Sequence, residues 1–177
     1  MITDKKTYKS YWLADRLANS SPIKVSIINK FRKLLFPDYI IQFLYLLRKT
    51  EYSKNCKNGV FGKLSYFYFL RRFRKLSVKL SFSIPINVFG PGLSIPHYGT
   101  IIVNPASKVG KNCRLHACVN IGASGGSSIS PILGDNIYIG PGAIIFGDIV
   151  VADNVTIAAN STINKSIRVP NITVGGT

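Results

Sequence analysis

An aliphatic residue returns at every sixth position from Val103 to Val169, and that period leaves few folds open. The row runs Val103, Val109, Leu115 and Ile121, skips one unit, then continues as Leu133, Ile139, Ile145, Val151, Ile157, Ile163 and Val169. The residue after each is often small or turn-prone, as at Gly110, Gly122, Gly134, Gly140, Ala152, Ala158 and Asn164. A second inward candidate stands two positions before, including Cys113, Val119, Ile137, Ala143, Ile149, Val155 and Ile167. One obligatory aliphatic and one small neighbour in every six residues is the signature of a hexapeptide β-helix. Three hexapeptides close one triangular coil of about 18 residues, and each aliphatic stacks on its counterpart one coil below.

Charge divides the chain in two. Of 23 Lys and Arg residues, 18 lie in residues 1–82 with 4 of the 7 acids, a balance of about +14. Residues 83–177 hold the other 5 bases and 3 acids, about +2. The expectation is a basic α-helical region over 1–82 and an all-β solenoid over 83–177.

Helical signals fill the first region. Lys6–Asn19 carries Tyr8, Tyr11, Trp12, Leu13 and Leu17 at partly helical spacing and is broken by Ser20-Ser21-Pro22. Val25, Ile28, Phe31, Leu34 and Leu35 form an apolar stripe up to Pro37, a third helix covers Tyr39–Lys49, and Asn55–Gly59 reads as a loop. Val60–Leu80 interleaves Phe61, Tyr66, Phe67, Tyr68, Phe69 and Phe73 with Arg71, Arg72, Arg74, Lys75 and Lys79. Such a segment packs its aromatics on a neighbouring domain or lies on an anionic membrane surface; no recognised nucleic-acid motif accompanies it.

The longest apolar run, Tyr39–Leu47, is about half the length of a membrane span, and the first residues show no signal core. A cytoplasmic location is expected, with peripheral contact at the inner membrane surface as an option. Cys56, Cys113 and Cys118 make no disulfide framework. In the hexapeptide phase Cys113 points inward while His116 and Cys118 fall at other angles, so no metal site is expected.

His97 and His116 are the two histidines of the chain. Counting back six from Val103 reaches His97, which would replace an aliphatic at a coil edge. His116 then lies one coil up and one residue along, about 4.8 Å per coil, so both imidazoles could line one cleft. An imidazole suits deprotonation of a hydroxyl near neutral pH. The bland alternatives are a buried structural histidine at 97 and an exposed corner residue at 116.

Three further stretches carry a family resemblance: His97-Tyr98-Gly99-Thr100-Ile101-Ile102-Val103, Val119-Asn120-Ile121-Gly122-Ala123 and Ile132–Ala143. With Phe82–Pro85 and Gly90–Ile95, they resemble the serine O-acetyltransferases, most of all short homologues from bacterial surface-polysaccharide clusters. The likeness covers about residues 80–177. It implies a left-handed parallel β-helix, a homotrimer, and acetyl-CoA in a groove between neighbouring solenoids. It also implies His97 as general base, whose acceptor hydroxyl attacks the thioester directly, with a backbone N–H holding the oxyanion. Gly122 and Ala123 match the turn that approaches the pantetheine arm, and Pro141 and Ala159 match further cofactor-facing positions. Pro141 has no N–H to donate.

The chain departs from the pattern where serine's charged ends would be read. Pro96 stands where the family has an acidic residue, and Ser130 stands near the place of a second functional histidine. His116 and Ser130 are therefore the acceptor-binding candidates. The family continues beyond Val174-Gly175-Gly176-Thr177 into a turn that helps enclose the nucleotide, which leaves Lys165 and Arg168 as nearby cations for a CoA phosphate or as solvated corner residues. Three functions stay open: acetyl transfer to serine, acetyl transfer to a sugar hydroxyl in capsule or O-antigen synthesis, and an inactive structural solenoid.

Overall fold

The computed structural model describes residues 1–21 and 35–176. The stripe expected at Val25, Ile28, Phe31 and Leu34 lies outside the described residues; Leu35, at its end, is exposed. Among the described residues three helices precede the solenoid: α1 (Lys5–Ala18), α2 (Tyr39–Cys56) and α3 (Gly59–Leu80). Asp4 opens α1 with a capping box, its carboxylate accepting from the Thr7 N–H at 2.7 Å while the Asp4 N–H donates to Thr7 Oγ1 at 3.0 Å. Asp38 caps α2 by accepting from the Ile41 N–H at 3.0 Å.

Helix α2 runs beyond the expected Lys49 to Cys56, through buried Thr50, Glu51 and Ser53. Those polar side chains find internal partners (Thr50 Oγ1 donates to the Leu46 carbonyl at 2.7 Å), so burial holds the helix where polarity suggested its end. Helix α3 stops at Ser81, whose left-handed φ of 60° turns the chain directly into the first strand. None of the described helices is long and apolar enough to cross a membrane.

Twelve strands of two or three residues follow: β1 (Phe82–Ser83), β2 (Ile101–Val103), β3 (Lys108–Val109), β4 (Arg114–Leu115), β5 (Asn120–Gly122), β6 (Ile132–Leu133), β7 (Tyr138–Ile139), β8 (Ile144–Phe146), β9 (Val150–Val151), β10 (Thr156–Ile157), β11 (Thr162–Ile163) and β12 (Thr173–Val174). They stack into three parallel walls: β1-β2-β5-β8-β11, then β3-β6-β9, then β4-β7-β10-β12. Chain order visits the first, second and third wall in turn, which is the triangular coil that the six-residue period requires.

Register shows the stacking directly. Val103 pairs with Ile121, Ile121 with Ile145 and Ile145 with Ile163. Of the eleven periodic aliphatics, the ten from Val103 to Ile163 are buried, at 9% exposure or less. Each such side chain contributes about 1.5–3 kcal/mol through burial. Val169 departs from the row and is 60% exposed, because Ile167 makes the bridge to Val151 and the last coil is short. The skipped unit is the exposed loop after β5, which leaves the period without disturbing the register on either side.

One coil was hidden from the period. Phe82 pairs with Ile101, Phe89 bridges to Val109 and Ser94 to Arg114. Residues 82–95 are thus a first coil whose steps to the next are 19 and 20 residues rather than 18. Extra residues at its corners break the six-residue count, so a fixed period cannot see it.

The helices close the bottom of this coil. Phe43 sits edge-on to Phe82 at 5.1 Å and tilted against Phe73 at 5.2 Å, joining α2, α3 and β1 in one core. Arg48, fully buried, binds Asp15 of α1 (Nε–Oδ2 2.7 Å), Glu51 (Nη1–Oε2 3.0 Å) and the carbonyls of Phe89 and Gly90 at 2.9 and 2.6 Å. Burial alone would depress its pKa, but Glu51 and Asp15 reverse that and hold the guanidinium charged.

Candidate active site

Coil geometry decides which candidates meet. Ser94 bridges to Arg114, Arg114 pairs with Tyr138 and Tyr138 with Thr156, all in the third wall. Three residues further along, at the turn from third wall to first, come His97, Ala117, Pro141 and Ala159 in four successive coils. Backbone bonds hold the stack, the Gly142 N–H donating to the Ala117 carbonyl at 3.0 Å and the Asn160 N–H to the Pro141 carbonyl at 2.9 Å. Pro141 and Ala159 are exposed there.

His97 does not replace a core aliphatic. Ile95, 2% exposed, fills the row, and the long corner from Pro96 to Thr100 carries His97 outward into solvent. The buried structural alternative is thereby removed, and so is the sequence argument that led to His97; the added corner residues shift the phase by two. His116 is half-buried one coil above, and the two imidazole centroids are 5.9 Å apart with their planes at 45°.

Two neighbours of His116 escaped the sequence reading. Tyr138 lies with its ring centroid 5.0 Å away, and Arg114 Nε donates to His116 Nε2 at 3.4 Å. Both occupy outward positions of the third wall in register with each other, a relation that needs the skipped unit to be placed first. The Arg114 bond requires a lone pair on Nε2. Burial foremost, then the charges of Arg114 and His97, lowers the His116 pKa below its ordinary value of 6.5, so His116 is neutral at pH 7. Arg114→Ala is expected to raise the His116 midpoint while burial keeps it below ordinary; histidine NMR titration measures the change.

Beside this corner lies a cavity of about 280 Å³, lined among others by Asn19, Asp38, Ser94, Pro96 and Arg114. It joins the helical region to the coil that bears His97. Asn19 Nδ2 donates to the Leu93 carbonyl at 2.8 Å and its Oδ1 accepts from the Ile95 N–H at 2.9 Å, two residues before His97. The cavity therefore offers a carboxylate and a guanidinium, neither of which the sequence motifs singled out.

The remaining candidates lie elsewhere on the same solenoid. Gly122 and Ala123 leave β5 at the turn from first wall to second, and Lys165 and Arg168 flank the corresponding turn after β11. Gly122 and Ala123 are half-buried and the two cations exposed. Ser130, expected to bind the acceptor, is only 4% exposed beside β6, and its hydroxyl has no hydrogen-bond partner among the described residues. It lies buried just before β6, at the corner that leads into the second wall. Within one subunit Ser130 is thus not part of the His97 corner.

Cys113 is buried and its thiol is pushed up to about 12 by burial, while Cys118 is exposed, as the hexapeptide phase requires. Among the described residues no cluster of His, Cys, Asp and Glu could hold a metal ion.

No family model matches the chain. It is 29% identical over 93 residues to the serine acetyltransferase of Mycobacterium tuberculosis, covering 51% of this chain and 41% of that protein. It is 27% identical over 114 residues to the serine acetyltransferase of Helicobacter pylori, covering 62% of this chain and 67% of that one. The chain thus spans less than half the length of the first of these relatives. Soybean serine acetyltransferase apoenzyme superposes over 98% of this chain and 68% of its own, with a TM-score of 0.74 and 20% identity. The Neisseria gonorrhoeae serine acetyltransferase in complex with serine covers 97% of this chain and 66% of its own, with a TM-score of 0.65 and 22% identity. The chain is similar to serine acetyltransferases in sequence and shares their fold.

Proposed function

We propose that this chain is an acetyl-CoA-dependent O-acetyltransferase whose acceptor is the hydroxyl of L-serine. The observation that carries this reading is the exposed His97 imidazole, 5.9 Å from neutral His116 and beside a cavity lined by Asp38 and Arg114. An amino acid presents an ammonium and a carboxylate, and Asp38 and Arg114 offer the opposite charges. They answer the two recognition groups that Pro96 and Ser130 leave missing.

His97 accepts the proton of the serine hydroxyl as its oxygen attacks the acetyl carbonyl carbon of the thioester. A backbone N–H stabilises the oxyanion of the tetrahedral intermediate; collapse breaks the C–S bond, and the CoA thiolate leaves with the proton from the imidazolium. Gly122 and Ala123 let the pantetheine arm approach the backbone, Pro141 and Ala159 supply small apolar contacts, and Lys165 and Arg168 pair with CoA phosphate.

This assignment needs more than one subunit, since His97 and the Gly122 turn occupy different corners of one solenoid. A homotrimer of left-handed β-helices brings the corner of one copy beside the other corner of its neighbour. Outward-facing Ile102, Ile144, Ile132 and Val150, each 42–47% exposed on the first and second walls, fit burial between copies. Mixing His97→Ala subunits with Gly122→Trp subunits is then expected to restore about a quarter of the sites by random pairing. Strict inactivity of well-mixed heterotrimers would place both groups in one subunit's site.

The direct test is CoA release from acetyl-CoA with L-serine and, separately, with nucleotide-sugars. Release with serine that disappears in His97→Ala is the expected result. Release with sugars alone overturns the acceptor, and silence with every acceptor overturns the transferase reading.

A further inference from the structure

The outer face of α3 is not used by the proposed transfer, yet its composition is sharply biased. Across its 22 residues α3 carries Lys63, Arg71, Arg72, Arg74, Lys75 and Lys79 and not one acidic residue. Its inner face is Gly62, Phe73, Leu76 and Leu80, buried at helical spacing, with Phe69 packed against the same core. The opposite face runs Phe61, Leu64, Tyr68, Arg71, Lys75 and Val78, alternating steps of three and four, so it forms one continuous strip. All six are exposed: Phe61 at 87%, Leu64 at 60%, Tyr68 at 56% and Val78 at 82%, with Arg71 and Lys75 among them. Phe67, beside the strip, is 62% exposed.

Large apolar side chains are not usually left in water along one strip of a helix whose other face is already packed. An occupant must therefore cover rings and at the same time neutralise cations. A second copy of α3 answers only the first demand, because two such helices bring their cations together without one carboxylate. A nucleic acid answers only the second, leaving Phe61 and Leu64 uncovered. An anionic bilayer answers both: rings and aliphatic groups enter the acyl boundary while Arg and Lys meet the headgroup phosphates.

We propose that α3 is a membrane-surface helix, docking this protein on an anionic lipid bilayer through the Phe61–Val78 strip. The proposal is independent of the acetyl acceptor, since no residue of the strip belongs to the His97 corner. Arg72, held by Tyr68 Oη at 3.0 Å, and Lys79, 3.7 Å above the Tyr39 ring, are oriented by the helix surface and flank the strip. Among the described residues, α2 covers the buried side of α3 and the first coil covers its end, which leaves the strip open.

The experiment is co-sedimentation of the full chain with phosphatidylcholine vesicles, with and without phosphatidylglycerol. Binding is expected only with phosphatidylglycerol and is expected to weaken as salt rises. At about fivefold per base, Arg71→Glu/Lys75→Glu lowers the partition constant by at least about 25-fold. Phe61→Ser/Leu64→Ser lowers it with the charge intact, and both pairs sit at exposed positions where unchanged circular dichroism melting confirms the fold. Equal binding to neutral vesicles, or none to anionic ones, overturns the proposal. Loss of a higher oligomer in Phe61→Ser/Leu64→Ser without any vesicle binding assigns the strip to a second copy and overturns it equally.

Discussion

His97→Ala is expected to lower turnover by at least about 10²-fold, the ordinary loss when a general base is removed, with KM for acetyl-CoA little changed. The reason is positional. His97 is exposed on a long corner while Ile95 fills the core row below it, so truncating the imidazole opens no cavity. Sedimentation velocity and thermal melting of the variant are accordingly expected to match the parent. Steady-state CoA release is the measurement, and near-parental turnover removes His97 from the base role. His116→Asn is a contrasting case: in the proposed reading the half-buried ring binds the acceptor rather than moving its proton, so its loss is expected in the acceptor KM more than in turnover.

Arg48→Met is expected to cost about 3–5 kcal/mol of unfolding free energy, the range for removing one partner of a buried ion pair. The guanidinium is shared among two carboxylates and two carbonyls, all within 3.2 Å. Without it the Asp15 and Glu51 carboxylates lose the cation that offsets them in the interior, and the Phe89 and Gly90 carbonyls lose their donor. Nor is an apolar replacement of all three residues benign here. Asp15 also accepts from the Gly92 and Leu93 N–H groups at 2.8 and 2.9 Å, and Glu51 from the Asn87 N–H at 2.7 Å. Those donors would be stranded, at about 1–3 kcal/mol each. Urea denaturation of Arg48→Met gives the value, and a loss below about 1 kcal/mol would mean that the cluster is not a structural lock. Because Asn19 of the same region holds Leu93 and Ile95, loosening the first coil also reaches the His97 corner.

The hexapeptide rows were legible because stacking demands them: one aliphatic per wall per coil, repeated until the coil ends. Ten positions obey, and Val169 fails where the last coil shortens and Ile167 makes the bridge in its stead. Helices α1 and α3 were legible to within a residue or two at their ends, since capping and turn residues mark them. The end of α2 was not, because Thr50, Glu51 and Ser53 read as surface until their buried partners are known.

At the site the same division holds. His97 and His116 were singled out from scarcity and spacing, and the fold brings them within ring contact, although by a different count than the period suggested. Tyr138 was invisible because its adjacency to His116 depends on parallel register across the 24-residue step of the skipped unit. Arg114, two residues from His116, was invisible because period alone does not show that the two side chains share an outer face. The burial of Ser130 was equally unreadable: a residue next to a loop looks exposed in sequence, yet it is 4% exposed beside β6.

The sequence by itself determined a three-walled parallel solenoid, its core rows, and a basic helical segment before it, because side-chain period and charge are properties of the chain. Tertiary structure alone decided which corner each functional group occupies and that a first coil precedes the visible repeat. It also decided that the helices are locked to that coil through Arg48. Corner insertions are free to vary in length as long as the walls stay in register. Sequence distance therefore does not report distance across coils, and only the closed stack does.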